Sequence, residues 1–311
     1  MKKFSTLSFK SLLSLLGDTP LLEIPYKKNK RVKIFAKCEW FNPSGSVKDR
    51  AAANILLAAL KKGHLENKVL LDATSGNTGI SYAMFAASLG IPLTLTLPEN
   101  ASFERKMLLK QYGAKVVFTS ALEGTDGAQA KVAQMLEAEP DKYYCPDQYN
   151  NPANWQAHFN NTGPEIWKQT DKKVNYFIAG LGTTGTFLGT SRYLKEKKVS
   201  CIEVQPDNPM HGLEGWKHLE TALLPGIYDD TVANNRIFVS TEQSYLYAKA
   251  AFSYLGLALS PSSAANLLAA MQLANELDKG TIVTIFADNA MKYLKDEFWN
   301  DGDTLTQNPF Y

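Results

Sequence analysis

Cysteine is scarce in this sequence. Cys38, Cys145 and Cys201 are the only three in 311 residues, lie far apart and include no C-x-x-C pair. This argues against a disulfide framework or a cysteine-built zinc site and fits a reducing compartment. The four histidines, His64, His158, His211 and His218, form no metal-ligand spacing with them. A charge excess is missing too: 33 basic against 31 acidic residues leave +2, so nothing points to nucleic acid or an anionic membrane as partner. No uninterrupted apolar run approaches the roughly 18–20 residues needed to span a bilayer. Met1-Lys2-Lys3 opens like a signal peptide, but Lys10 breaks the apolar stretch and no small-residue cleavage site follows Leu16. The segment reads as a short amphipathic helix ending at Gly17, and the expected location is cytoplasmic.

What is present is an ordinary globular balance, 45% hydrophobic and 21% charged, in a length that suggests two domains. Strand patterns fall at 32–37, 68–73, 93–97, 115–119, 174–179, 201–204 and 281–287. Helical patterns fall at 47–62, 78–89, 104–112, 125–138, 185–196, 241–254, 263–277 and 292–299. Their alternation predicts an α/β fold with parallel sheets and helices on both faces. Ligands in such folds bind where strands run into helices, so those loops carry the candidate chemistry.

Four loops stand out. Ser46 and Asp49 have capping-box spacing and start a helix near Val47, which sets Lys48 in its first turn. Positive potential there lowers an amine's pKa, which suits a lysine that must lose its proton; alone, the motif also reads as a solvated lysine. Thr74-Ser75-Gly76-Asn77-Thr78-Gly79 offers hydroxyls and free N–H groups to an anion at a helix start, or is a capped turn. Gly180-Leu181-Gly182-Thr183-Thr184-Gly185-Thr186 is a phosphate cradle in pattern. Its G-x-G-x-x-G spacing, with Glu203 about 20 residues on, also allows a nicotinamide oxidoreductase. Ser260-Pro261-Ser262-Ser263 reads alone as a helix cap.

In that order the four motifs resemble the pyridoxal-phosphate enzymes of fold type II, the cysteine synthase and cystathionine β-synthase family. The resemblance runs from Leu15 to Leu294 and includes Gln148–Asn154 and Thr162–Ile166. His211–Trp216, Leu224–Tyr228 and Thr184 look more like cysteine synthase B than A. The resemblance implies two three-layer αβα domains, tryptophan synthase β-like, with the active site in the cleft between them. Residues 40–147 would form the smaller, mobile domain, and 1–39 with 148–311 the larger one that binds the cofactor phosphate. It implies that Lys48 holds pyridoxal 5′-phosphate as an internal aldimine, and that Gly182, Thr183, Thr184, Gly185 and Thr186 bind its phosphate. Asn77 would face its 3′ oxygen and Ser262 its pyridine nitrogen, while Thr74, Ser75, Thr78 and Gln148 grip the substrate carboxylate.

A neutral hydroxyl at the pyridine nitrogen makes a shallower electron sink than a carboxylate would, which favours loss of a β-substituent over reprotonation on the cofactor. The implied reaction is β-replacement through an aminoacrylate. An activated serine, O-acetylserine by preference, and a sulfur donor give L-cysteine; the alternative is serine plus homocysteine, as in cystathionine β-synthase. Glu214 argues against O-phosphoserine unless Lys217 or His218 supplies compensating charge. A homodimer is implied, with a serine acetyltransferase or a sulfur-carrier protein as candidate partner.

Overall fold

The computed structural model describes residues 6–74, 76–305 and 307–311. Its ten strands are β1 (Leu21–Ile24), β2 (Val32–Cys38), β3 (Val69–Ala73), β4 (Leu93–Pro98), β5 (Lys115–Thr119), β6 (Tyr143–Tyr144), β7 (Tyr176–Gly180), β8 (Ser200–Pro206), β9 (Asn235–Val239) and β10 (Gly280–Phe286). They form a six-stranded sheet, β1-β2-β10-β7-β8-β9, and a four-stranded sheet, β5-β4-β3-β6. Among the pairs of these described strands only β1–β2 is antiparallel. The helices are α1 (Thr6–Leu13), α2 (Lys48–Lys61), α3 (Asn77–Leu89), α4 (Phe103–Gln111), α5 (Gly124–Ala138), α6 (Pro152–Ala157), α7 (Gly163–Gln169), α8 (Gly185–Lys195), α9 (Thr241–Ala250) and α10 (Pro261–Glu276).

Each sheet is buried on both faces, which is why its strands read as nearly continuous apolar runs. Along β7, Ile178 enters one core while Phe177 and Ala179 enter the opposite one. Along β3, Leu70 and Leu71 likewise diverge. The N-terminal chain divides between the units. β1 and β2 pair into the six-stranded sheet, whereas Phe9 of α1 meets Phe85 of α3 edge-on, with ring centroids 5.6 Å apart. At the other end, Phe310 is fully buried against Tyr247, so the C-terminal tail packs on the body.

Several expectations need correction. The Ser46–Asp49 capping box does not form: Val47 occupies the cap position and makes no side-chain cap bond. Asp49 instead accepts from the Ser44 backbone N–H, 2.6 Å away, and from the Ser44 and Ser81 hydroxyls. The 292–299 helix is replaced by two 3₁₀ turns, Ala290–Lys292 and Glu297–Trp299. There the Tyr293 carbonyl accepts from the Asp296 N–H at 3.0 Å and the Trp299 indole at 2.9 Å, which breaks any i→i−4 ladder. Glu203 is not a ribose ligand. It is fully buried within β8, where Gln205, Tyr228 and Arg236 donate to it. The short strands β1, β6 and β9 and the helices α6 and α7 were not expected from periodicity.

Candidate functional site

The carboxyl ends of β3, β7 and β10 open onto one cleft. Lys48, Thr74, Asn77, Thr78, Gln148, Thr183 and Ser262 all line it. Lys48 also lines an adjoining pocket with Gly182, Thr183, Thr184 and Thr186. Gly185 follows in the same loop as the first residue of α8. Ser75 lies outside the described residues.

Lys48 is the first residue of α2. The chain before it is pinned to the end of β10: Val47 N–H donates to the Ala287 carbonyl at 2.8 Å, and Ser46 forms a backbone bridge with Asp288. Burial pushes the Lys48 amine toward its neutral form, and nearby Lys292 adds to this, while the Asp288 carboxylate opposes both. An amine so placed can act as a nucleophile and a base.

On the four-stranded side, the Thr74 hydroxyl accepts from the N–H groups of Gly76 and Gly79 at 3.3 and 3.2 Å, folding the turn tightly. This turn starts α3. Thr78 donates to Gln148 Oε1 at 2.8 Å. Asn77 donates through Nδ2 to Asp288 Oδ2 at 2.8 Å, and its Oδ1 accepts from Lys292 at 2.7 Å.

The six-stranded side carries the glycine-threonine loop. Thr184 sits at φ +69° and its hydroxyl is buried without a hydrogen-bond partner, an unusual state for a buried polar atom. The glycines are required by close approach. A Cβ on Gly182 would lie 2.1 Å from the Gly215 carbonyl oxygen, and one on Gly185 would lie 2.0 Å from Asn154 Oδ1. Asn154 also donates to Thr183 Oγ1 at 2.9 Å. The loop therefore presents free donors at a helix N-terminus, which suits a bound anion. Ser262, in the first turn of α10, stands at the cleft with its hydroxyl 3.2 Å from that of Ser260.

Sequence reasoning missed Arg105, Asp288 and Tyr293 at this site. Arg105 of α4 makes a two-pronged ion pair with Glu214 across the mouth, with Nη2 to Oε2 at 2.7 Å, and stacks over Tyr293 at 4.9 Å. The charge opposite Glu214 thus comes from Arg105. His218 is instead held by the Thr221 hydroxyl at 3.0 Å, and the Lys217 ammonium lies over the Tyr149 ring at 5.1 Å. Tyr293 donates to Asp288 Oδ2 at 2.8 Å, and Asp288 Oδ1 is buried without a partner. The only local signal was the cluster of charged residues just after β10; the partners are distant in sequence.

Residues 12–288 match the family described as pyridoxal-phosphate dependent enzyme. The chain is 48% identical over 304 residues to a cysteine synthase of Aquifex aeolicus, covering 94% of this chain and 93% of that protein. It is 33% identical over 290 residues to cysteine synthase B of Escherichia coli, covering 91% and 94%. A solved cysteine synthase structure from Entamoeba histolytica superposes with a TM-score of 0.90 at 32% identity, covering 96% of this chain and 93% of that one.

Proposed function

The chain belongs to the pyridoxal-phosphate dependent enzyme family, and from that premise we propose that it makes L-cysteine by β-replacement on O-acetylserine with a small sulfur nucleophile. The observation that carries the reading is the placement of the Lys48 amine, pressed toward neutrality, beside a threonine-glycine loop whose Thr184 hydroxyl has no partner. The residues fit the cofactor. Lys48 would hold it covalently and residues 182–186 its phosphate, the orphaned Thr184 hydroxyl and the close glycines being what a phosphate cradle needs. Asn77 and Ser262 flank the space between, as partners for a ring oxygen and a ring nitrogen. When bound, the cofactor supplies the electron sink for negative charge developing at the substrate's Cα.

The rest is done by side chains. Thr74, Thr78 and Gln148 at the cleft bind the substrate carboxylate, with Ser75 beside Thr74 in sequence as a fourth candidate, and orient the Cα–H bond toward Lys48. The Lys48 amine, freed when the substrate's amino group displaces it, takes that proton, acetate leaves from Cβ, the sulfur nucleophile adds to Cβ, and the Lys48 ammonium returns the proton to Cα. The Arg105–Glu214 pair across the mouth limits water entry during the exchange. The smaller, mobile domain is residues 40–147 and the larger is 1–39 with 148–311. The separate sheets support this division, although α1 lies against the smaller unit. Among the described residues no helix is long and apolar enough to cross a membrane. The working unit is a homodimer in the cytoplasm, in keeping with three unpaired cysteines.

The test is absorption of the purified protein loaded with pyridoxal 5′-phosphate, before and after borohydride, alongside cysteine formation from O-acetylserine and sulfide. The expected result is a near-visible band that borohydride bleaches, with the added mass on Lys48. Lys48→Ala should lack that fixation and lose turnover by on the order of 10³-fold. A protein that stays colourless and forms no cysteine overturns the reading.

A further inference from the structure

The chain between α6 and α7 contains a five-residue π turn, His158–Thr162, that the reaction above does not use. Such turns often mark functional positions. His158 is 1% exposed. Its Nδ1 lies 2.9 Å from Thr162 Oγ1 and its Nε2 lies 3.3 Å from Thr186 Oγ1. Helix α8 is seated directly on this turn, since a Cβ on Gly189 would stand 1.9 Å from the Trp155 carbonyl oxygen and 2.8 Å from His158 Cβ. The contact to Thr186 is therefore built into the packing of two helices.

We propose that His158 is a positioning residue for Thr186: its Nε2–H donates to Thr186 Oγ1 and so turns the threonine's own hydroxyl proton into the loop, toward an anionic oxygen. The inference rests on reading residues 182–186 as the phosphate cradle. The argument is one of hydrogen accounting. Burial first, and then the Arg50 charge, hold the imidazole near a pKa of about 3, so it is neutral at working pH with one donor and one acceptor nitrogen. Thr162 is fully buried, and Nδ1 is the acceptor within reach of its hydroxyl proton. If Nδ1 accepts that proton, Nε2 carries the ring hydrogen and must donate to Thr186. In the other tautomer the Thr162 proton has no acceptor, a costly state in a dry interior, and the Thr186 proton is drawn back onto Nε2. Only the first arrangement pairs every buried hydrogen and leaves Thr186 a donor for its ligand.

The test uses apoprotein prepared from the full chain, with binding of pyridoxal 5′-phosphate and of inorganic phosphate as readouts. Thr186→Val is expected to weaken both by about tenfold, as loss of one hydrogen bond to a charged group would. His158→Leu should weaken both in the same direction by about fivefold, and His158→Gln, which keeps an N–H donor at the Nε2 position, should restore most of that loss. The double variant His158→Leu/Thr186→Val should bind no worse than Thr186→Val alone, because one acts through the other. Losses that add in the double variant, or His158→Leu binding both ligands like the parent protein, overturn the proposal. If His158→Leu does not fold, His158→Asn serves: its amide keeps a partner for Thr162 at the Nδ1 position but stops short of Thr186, so it should weaken phosphate binding by about threefold, and unchanged binding overturns the proposal. A parent apoprotein that binds neither ligand overturns the phosphate-cradle reading itself, a result distinguishable from loss of coupling between the two residues.

Discussion

Two buried carboxylates, one in each half of the molecule, meet opposite fates. Glu39 lies just beyond β2 of the six-stranded sheet. Both its oxygens are satisfied, by Thr19 at 2.7 Å, Asn42 at 2.8 Å, and Arg50 at 2.6 and 2.8 Å. Burial works to raise its pKa, but Arg50, with Lys37 and Thr19, outweighs this and holds it at about 2. Asp72 lies in β3 of the four-stranded sheet. Its Oδ1 accepts from the Ala73 N–H at 2.7 Å and its Oδ2 has no partner. Burial, with the nearby Asp147 charge, pushes it up to about 8. The same chemical group is thus held as a paired anion just beyond β2 and as a neutral acid within β3, next to the 74–79 turn. Pairing, rather than burial alone, decides the charge.

The strongest way to break this contrast is Arg50→Met. It leaves Glu39 buried without the guanidinium that pairs it and takes from Glu165 one of its two cations, met at 2.7 and 2.8 Å, leaving only Lys37 at 2.6 Å. A loss of roughly 3–5 kcal/mol in unfolding free energy is expected, read by guanidinium titration; a loss within experimental error would show the network to be ornamental.

The pH dependence of stability sharpens the contrast next. Glu39, depressed in the fold, contributes stability that is fully present above its unfolded pKa of about 4.3 and is lost as pH falls through about 2. Asp72, raised in the fold, contributes the opposite slope: stability is full below its unfolded pKa of about 3.9 and declines as pH rises through about 8. Asp72→Asn should therefore raise the melting temperature more at pH 8 than at pH 5. Equal shifts at both pH values would mean that Asp72 is ionised in the fold.

The smallest effect belongs to the turn itself. Thr78→Val removes the hydroxyl whose single proton goes to Gln148 Oε1 at 2.8 Å and which, in the proposed reading, turns to the substrate carboxylate when substrate binds. KM for O-acetylserine should rise by about tenfold while affinity for pyridoxal 5′-phosphate is unchanged. A matching drop in cofactor affinity would erase the division of labour between the two walls.

Legibility from sequence followed sequence distance. The turn at 74–79 and the loop at 180–186 could be picked out because strand, glycines, hydroxyls and helix start are contiguous, and the order of four such motifs carried the family resemblance. The capping box failed because Asp49 is drawn to Ser81, 32 residues on, which no local rule sees. The Arg105–Glu214 pair joins residues 109 apart, and the Asn77–Asp288 bond joins residues 211 apart. Each side chain alone reads as an ordinary surface residue.

By itself, then, the chain's sequence determined the alternating α/β layout, the anion-ready helix starts and the early lysine, because these depend on neighbours within a few residues. The tertiary structure alone decided which charges survive burial, which hydroxyls, Thr184 among them, are left without a partner and which groups close the cleft. Those outcomes turn on electrostatic and hydrogen-bond partners that only folding brings within about 3 Å.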